Sequence, residues 1–339
     1  MHILVSICVP IYNVAPFIER CARSVFNQSY PNCEFIFVND CSPDNSIAIL
    51  KEIVSEYPHL KDRIRVICLD RNQGLAATRN SAVAAANGEF IMHVDSDDWL
   101  EHNAVELLVR EQKRTDSDIV SGNAIAHYKD REELLQEPDL EDKDILMRHM
   151  TELTLNHVIW RRLIRRSLYT ENGIEAASGV NIGEDHHVLP RLIYYAKKCV
   201  KLDVVVYHYN RQNVNSYMSY TDYSHIVNKM KDDLASINIL LQFFADKDHI
   251  CKNQLKQTKA KYILTCLNRC YEQHDVKLYN SMAKELFLTD TKSLLALGVP
   301  GIKVLLAKTL QKLGLSGANV MLISRSNIGR LLYRKLLPS

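Results

Sequence analysis

The chain opens with short apolar runs that alternate with helix-period segments, and this alternation constrains its fold more than any other feature. Ile3–Val9 reads as a buried strand and Phe17–Phe26 as a helix. Glu34–Val38 (EFIFV) reads as a second strand. Asp44–Tyr57 has Ile47, Leu50, Ile53 and Val54 on one helical stripe. Ile64–Leu69 reads as a third strand, Leu75–Ala86 as an alanine-rich helix, and Glu89–Val94 (EFIMHV) as a fourth strand. Short apolar strands separated by helical patterns indicate βαβ units and a parallel sheet. Such sheets bind ligands beyond the carboxyl ends of their strands.

Polar residues collect at those ends. Pro10-Ile11-Tyr12-Asn13 follows the first strand, and Asn39 to Ser46 follows the second. Asp70-Arg71-Asn72-Gln73-Gly74 follows the third, and Asp95-Ser96-Asp97-Asp98 the fourth. Four polar loops on one edge of one sheet, three of them acidic, point to a shared site.

Asp95, Asp97 and Asp98 crowd three carboxylates into four residues. Like charges that close raise each other's pKa, and a divalent cation relieves the repulsion. Two carboxylates are too few to enclose Mg²⁺ or Mn²⁺, which complete their shells with water and substrate phosphates. The alternative is structural: the aspartates would cap a helix beginning near Trp99 and favour its dipole. Asp40 sits where a carboxylate can accept hydrogen bonds from a base N–H or a ribose hydroxyl, while Ser42 or Asp44 would cap the next helix. Glycine is scarce, none precedes Gly74, and neither GxGxxG nor GxxxxGK[ST] occurs. An oxidoreductase or a P-loop enzyme is therefore disfavoured.

In order and spacing, VSICVPIYN, VNDCSPDNS, NQGLAATRN and DSDD resemble the family 2 glycosyltransferases of the GT-A fold. The resemblance implies an α/β fold of the GT-A type: a Rossmann-like, mostly parallel sheet flanked by helices, here with a C-terminal helical extension. It implies that Pro10, Tyr12, Asn13 and Asp40 line the pocket for the nucleotide base and ribose. Asn72, Arg79 and Ser96 join them as donor contacts, with Asn80 beside Arg79 on the third helix. Asp95 and Asp97 would contact the sugar-nucleotide and hold Mn²⁺ or Mg²⁺. The chain departs from the family at Asp40-Cys41-Ser42-Pro43-Asp44, where Asp-Gly-Ser-Thr-Asp is common. It departs again at Thr78-Arg79-Asn80-Ser81-Ala82, where Ala-Arg-Asn-x-Gly is common.

The second half resembles the family more loosely. HVIWRRLIRRSLY is similar to a Trp-Asn-Lys-Leu-Tyr-Arg-Arg segment, with Trp160 in the aromatic place. Gly183-Glu184-Asp185 resembles the family's Glu-Asp pair, whose Asp is the catalytic base. Forming a glycosidic bond requires a base to take the acceptor hydroxyl's proton, so Asp185 fits that role, with Glu184 orienting it or the acceptor. The competing reading makes both residues caps of the apolar helix that follows. In YHYNRQNVNS, Arg211 or Ser216 would meet the departing diphosphate, with His208 assisting. The competing reading there is a strand and an exposed loop.

The resemblance implies an inverting, metal-dependent transfer from a nucleotide-sugar, expected to be UDP-linked, to a hydroxyl of a glycan, polysaccharide or lipid-linked acceptor. The rivals are a nucleotidyltransferase, whose basic glycine-rich loop is absent from VPIYNVAPF, and a non-catalytic sugar-nucleotide or glycan-binding protein. The expected organisation is a catalytic domain over 1–220, with a nucleotide-sugar half at 1–115 and an acceptor half at 116–220. A helical region follows over 221–339. Lys129–Asp144 reads as a solvated charged loop or helix.

The cysteines number nine and have no CxxC spacing, which suits a reduced, cytoplasmic chain. Cys266, Cys270 and His274 align on one helix face, but a structural zinc site wants four ligands, so they read as core and surface. The N-terminus reads as a buried strand, not a signal peptide, and no apolar run approaches the ~18 residues of a membrane span.

Forty-two basic and 40 acidic residues give a net charge of +2, which offers no pull towards nucleic acid. That balance hides an asymmetry. From Thr291 to Ser339 there are Lys292, Lys303, Lys308, Lys312, Arg325, Arg330, Arg334 and Lys335 and no acidic residue, so the remainder is acidic. Leucine and isoleucine stripes at helical spacing accompany these cations. Such a basic amphipathic tail suits peripheral contact with an anionic membrane at its cytoplasmic face, or packing on the catalytic domain.

Overall fold

The computed structural model describes residues 3–138, 158–213 and 222–275, together with isolated positions between 142 and 151, at Ser216 and between 277 and 285. The basic tail expected to meet a membrane lies outside the described residues. Among the described residues no helix is long and apolar enough to cross a membrane. All nine cysteines are free.

Strand β1 (Val5–Ile11) is buried at every position, as a strand covered on both faces must be. Helix α1 (Ile18–Phe26) returns the chain to β2 (Cys33–Asn39), burying Ile18, Cys21, Ala22, Val25 and Phe26. Helix α2 (Ser46–Ser55) leads to β3 (Ile64–Cys68), and α3 (Leu75–Ala85) leads to β4 (Phe90–His93). A two-residue strand, β5 (Trp99–Leu100), precedes α4 (Ala104–Thr115). Strands β6 (Ile119–His127), β7 (Glu132–Leu135), β8 (Arg162–Arg165) and β9 (Cys199–Asn210) complete the sheet. Helix α5 (Asp185–Tyr195) lies before β9, and α6 (Tyr223–Phe243) follows it.

Among the described residues nine strands form one sheet in the order β3-β2-β1-β4-β8-β6-β9-β5, with β7 pairing β6 off this path. Strands β3, β2, β1 and β4 are mutually parallel, and β6 runs parallel to β9. Strand β8 inserts antiparallel between β4 and β6. The chain winds outwards from β1 in both directions, so the order reverses between β1 and β4. The crevice at such a reversal is where this fold class places its ligands.

The middle of the chain lacks a clean period because its strands are mixed. Strand β6 (IVSGNAIAH) carries small and polar residues on a buried element. The expectation of a solvated segment from Lys129 fails in part. Strand β7 pairs β6 there, and Glu137 is fully buried between Arg161 and Arg162 at 2.6 and 2.5 Å.

The chain divides into two compact units after Ser236, later than the expected 220, because the first half of α6 belongs with the sheet. In the second unit, α7 (His249–Glu272) buries Cys251, Leu255, Ile263, Cys266 and Cys270. Cys266 and Cys270 are buried there, in keeping with a core role.

Candidate active site

The carboxyl ends of β1 and β4 open onto a cavity of about 470 Å³. Its walls include Pro10, Tyr12, Asn13, Asp40, Arg79, Asp95, Ser96, Asp97, Glu184, Asp185, Arg211 and Ser216. The proposed contacts therefore converge on one space except His208, described below, and Asn72, whose amide turns back towards the Asp40 carbonyl at 3.4 Å. The reason is topological. Strand β3 stands two strands away from the crevice, and its loop meets the site through the Gln73 and Gly74 N–H groups on Asp40 rather than through Asn72.

The β1 and β2 loops brace each other through polar contacts. Asn13 adopts a left-handed conformation (φ 54°) and its N–H donates to Ser42 Oγ at 2.8 Å. Asp44 accepts hydrogen bonds from the Ala15 N–H at 2.7 Å, the Ser46 N–H at 3.1 Å and the Ser42 hydroxyl at 2.6 Å. Asp44 thus receives the first N–H of α2, although Asn45, and neither Ser42 nor Asp44, holds the N-cap position, and it also holds the first loop. Asp40 is buried, and its two oxygens accept the N–H groups of Gln73 at 2.7 Å and Gly74 at 2.8 Å. Each oxygen keeps a further lone pair for a ligand hydroxyl.

The DSDD residues divide their work. They cap no helix, since β5 intervenes and α4 begins only after Asn103. Asp98 points away from the cavity and is fully buried. It accepts hydrogen bonds from the Tyr207 hydroxyl and the Asn210 N–H, both at 2.7 Å. Tyr207 in turn accepts the Asp95 N–H at 3.0 Å, so β9 fixes the backbone of the acidic turn. Asp95 and Asp97 face the cavity. Burial first, and then the Asp95 charge, push Asp97 up to about 6. The Asn213 amide donates to one of its oxygens at 2.8 Å.

Arg79 stands at the centre. Only 4% exposed, it directs Nη2 to Asp95 at 2.6 Å and Nη1 to Asp185 at 2.7 Å and Glu184 at 3.0 Å. Burial opposes its charge, but the three carboxylates outweigh that effect and hold it protonated. Burial and the neighbouring Asp185 push Glu184 well above the usual carboxylate range. Glu184 and Asp185 make no side-chain cap on α5; their carboxylates go to Arg79 instead. Asn80, the partner of Arg79 in the motif, turns away and pairs with both backbone groups of Ala176 at 2.8 and 2.9 Å.

His208 does not reach the cavity, because residues alternate faces along a strand and Tyr209 and Arg211 take the inward side of the β9 end. Its ring stacks on Trp99 at 5.0 Å and pairs with Glu101 at 2.9 Å. His187 is buried, donating or accepting through Nδ1 with Ser236 and accepting the Ala177 N–H at Nε2. The sequence reading missed Asn213, Asn181, Trp160 and Tyr209 as wall residues. Trp160 stacks on Tyr207 at 4.5 Å, a contact that joins segments far apart in the chain.

A divalent metal fits this donor set. Asp95, Glu184 and Asp185 all pair with Arg79, so that cation is already engaged when a diphosphate enters. Asp97, with Asp95, offers carboxylate oxygens on the cavity wall. Too few ligands surround them to close a shell, which suits an ion that also binds phosphate and water.

The sequence profile of glycosyl transferase family 2 matches residues 6–173. The chain is 34% identical over 221 residues to the uncharacterized glycosyltransferase EpsJ of Bacillus subtilis, covering 63% of this chain and 62% of EpsJ. It therefore spans less than two thirds of that relative's length. The S. aureus TarS 1–349 structure in complex with UDP-GlcNAc is similar at a TM-score of 0.56 and 20% identity, over 77% of this chain and 80% of that one. The mannosyltransferase PcManGT from Pyrobaculum calidifontis, in complex with GDP-Man and Mn²⁺, is similar at a TM-score of 0.53 and 14% identity, over 89% and 88% of the two chains. With its motifs gathered at one crevice of a mixed α/β sheet, the chain belongs to the family 2 glycosyltransferases and has the GT-A fold.

Proposed function

We propose that this chain transfers a sugar from a nucleotide-sugar, expected to be UDP-linked, to a hydroxyl of a glycan, polysaccharide or lipid-linked acceptor, with inversion. The observation that carries the reading is Arg79, which ties the donor-side Asp95 to Asp185 across one cavity. The ligands named for TarS and PcManGT support a nucleotide-sugar donor. The basic composition of 291–339 and the free cysteines support a cytoplasmic site of action beside a membrane.

The residues divide the chemistry as follows. Pro10, Tyr12, Asn13 and Asp40 receive base and ribose, and Ser96 and Arg79 lie along the donor. Asp97, with Asp95, would hold Mn²⁺ or Mg²⁺, which when bound neutralises charge developing on the diphosphate. Asp185 has one oxygen on Arg79 at 2.7 Å and the other near the Ile159 N–H at 3.3 Å. Its carboxylate is thereby oriented while still reaching the cavity. It takes the acceptor hydroxyl's proton as that oxygen attacks the anomeric carbon and the bond to the phosphate oxygen breaks. Glu184, paired with Arg79 at 3.0 Å, orients Asp185 or the acceptor. Arg211 and Ser216 at the rim would meet the leaving diphosphate.

UDP release from a panel of UDP-sugars with Mn²⁺ tests this directly. The expected result is turnover by wild type and loss of roughly 10²–10⁴-fold in Asp185→Asn, with UDP affinity retained. Full activity in that variant would remove Asp185 from the role of base. Asp97→Ala is expected to lose metal-dependent turnover and Mn²⁺-dependent UDP binding together. UDP binding without release from any donor would favour a binding protein, and pyrophosphate release from a nucleoside triphosphate would favour a nucleotidyltransferase.

A further inference from the structure

We infer that Asp232, on α6 and beyond the matched family segment, is the residue that positions the Glu184–Asp185 loop for catalysis; this rests on the function proposed above. The loop from Ser178 to Glu184 has no regular structure of its own. Gly179 and Gly183 sit at φ 81° and 77°, a conformation that leaves the backbone free to take other paths. The loop's Asn181 and Ile182 amides are held by one carboxylate. Asp232 Oδ2 accepts the N–H of Asn181 at 3.1 Å and that of Ile182 at 2.9 Å. Two successive backbone amides converging on a single oxygen fix both the direction and the depth of the segment.

That segment carries two walls of the cavity. Asn181 Oδ1 accepts the Ala76 N–H at 3.3 Å, placing the side chain over the start of α3. Glu184 and Asp185 follow directly and meet Arg79 of the same helix. The flanking residues of α6 grip the next turn: Asp233 approaches His186 at 3.3 Å, and Ser236 meets the His187 ring at 3.0 Å. Asp232, Asp233 and Ser236 recur at helical spacing on one side of α6. One helix face thus registers the proposed base against Arg79 without touching substrate, and Asp232 is a positioning residue. A displacement of about 1 Å at a reacting group costs on the order of 10²-fold in rate.

The test uses the full chain with Asp232→Ala, Asp232→Asn and, as a control, Lys231→Ala on the exposed side of the same helix. Amide hydrogen exchange is read on peptides covering 178–188, alongside kcat, donor KM and thermal midpoint. Asp232→Ala is expected to lower kcat roughly 10–100-fold with donor KM within about threefold, because the β1–β4 donor side is untouched. Exchange at Asn181 and Ile182 is expected to quicken while peptides of β1–β4 keep their wild-type rates. Asp232→Asn, which keeps the size and one acceptor oxygen, is expected to fall between, and it decides the matter if the alanine variant does not fold. Unchanged exchange at 181–182 overturns the assignment, as does a parallel fall of kcat, donor affinity and thermal midpoint. If wild type releases no UDP from any donor, glycosyl transfer falls, and the exchange measurement still decides whether Asp232 holds the loop.

Discussion

Asp185 lies 2.7 Å from Arg79, although 106 positions separate them in the chain. The same guanidinium holds Asp95 at 2.6 Å, so one side chain of α3 joins the acidic turn after β4 to the start of α5. Removing it would leave Asp95, Glu184 and Asp185 packed together without a cation. Breaking a buried ion pair from one side costs about 3–5 kcal/mol. Arg79→Ala is therefore expected to lose stability on that order in urea denaturation, and to lose turnover entirely. Arg79→Lys keeps the charge but cannot fork to two carboxylates at once. It is expected to fold and to lose roughly 10²-fold in kcat. Wild-type kcat in Arg79→Lys would show that the two-sided geometry is dispensable.

Gly74 makes a sharper case because its constraint has two parts. Its backbone (φ 86°, ψ 171°) lies in a region that essentially only glycine occupies. A Cβ there would fall 2.3 Å from Asn181 Oδ1. Gly179 shares the positive φ (81°), yet a Cβ on it would meet nothing within 4 Å. Gly74→Ala and Gly179→Ala thus separate backbone strain from collision. Gly179→Ala is expected to cost about 1–2 kcal/mol, with UDP affinity unchanged. Gly74→Ala is expected to cost more and to weaken UDP binding, since its N–H anchors Asp40. Equal effects on UDP affinity in calorimetric titrations would contradict this account.

What could be read from the sequence follows from where periodicity exists. The first hundred residues were legible because β1, β2 and β4 are apolar runs buried almost throughout and the polar loops all fall on one edge. Asn72 was misplaced because strand order is not written in the local pattern, and β3 proves to be two strands from the crevice. Asn213 and Asp232 gave no signal, since each acts on a partner more than fifty positions away or through backbone amides. The carboxylates of the DSDD run stood out in the sequence, but their division was not readable. Only packing against Tyr207 shows that Asp98 is structural while Asp97 faces the cavity.

Glu137 shows the same limit in the opposite direction, because its charged neighbourhood suggested solvent. It is fully buried and bridges Arg161 and Arg162, both 1% exposed. Glu137→Gln would leave two buried guanidinium groups sharing a neutral amide. The expected loss is about 3–5 kcal/mol, read from the urea midpoint. Glu133→Gln, four residues earlier on exposed β7, is expected to stay within about 0.5 kcal/mol of wild type. Similar stabilities for the two variants would return the segment to the status of a solvated loop.

His187 sets an acid limit on the fold. Burial, aided by the charge of Arg191, lowers its pKa from 6.5 to about 3. The hydrogen bonds give the structural reason. Nε2 accepts the Ala177 N–H at 2.9 Å and so cannot carry a proton, while Nδ1 meets the Ser236 hydroxyl at 3.0 Å. The unfolded chain binds a proton at this ring near its ordinary pKa, whereas the folded chain does not until far lower pH. Unfolding therefore takes up a proton in the window between 6.5 and about 3. Stability from this group is complete above the window, falls by about 1.4 kcal/mol for each pH unit on the way down through it, and stops falling at its lower end. His187→Gln keeps an acceptor for Ala177 but has nothing to titrate. It is expected to be somewhat less stable than wild type at pH 8 and to lose less on acidification. Urea midpoints for both proteins at pH 8, 6 and 4.5 measure the difference, and parallel slopes would show that the ring is not buried as a neutral group.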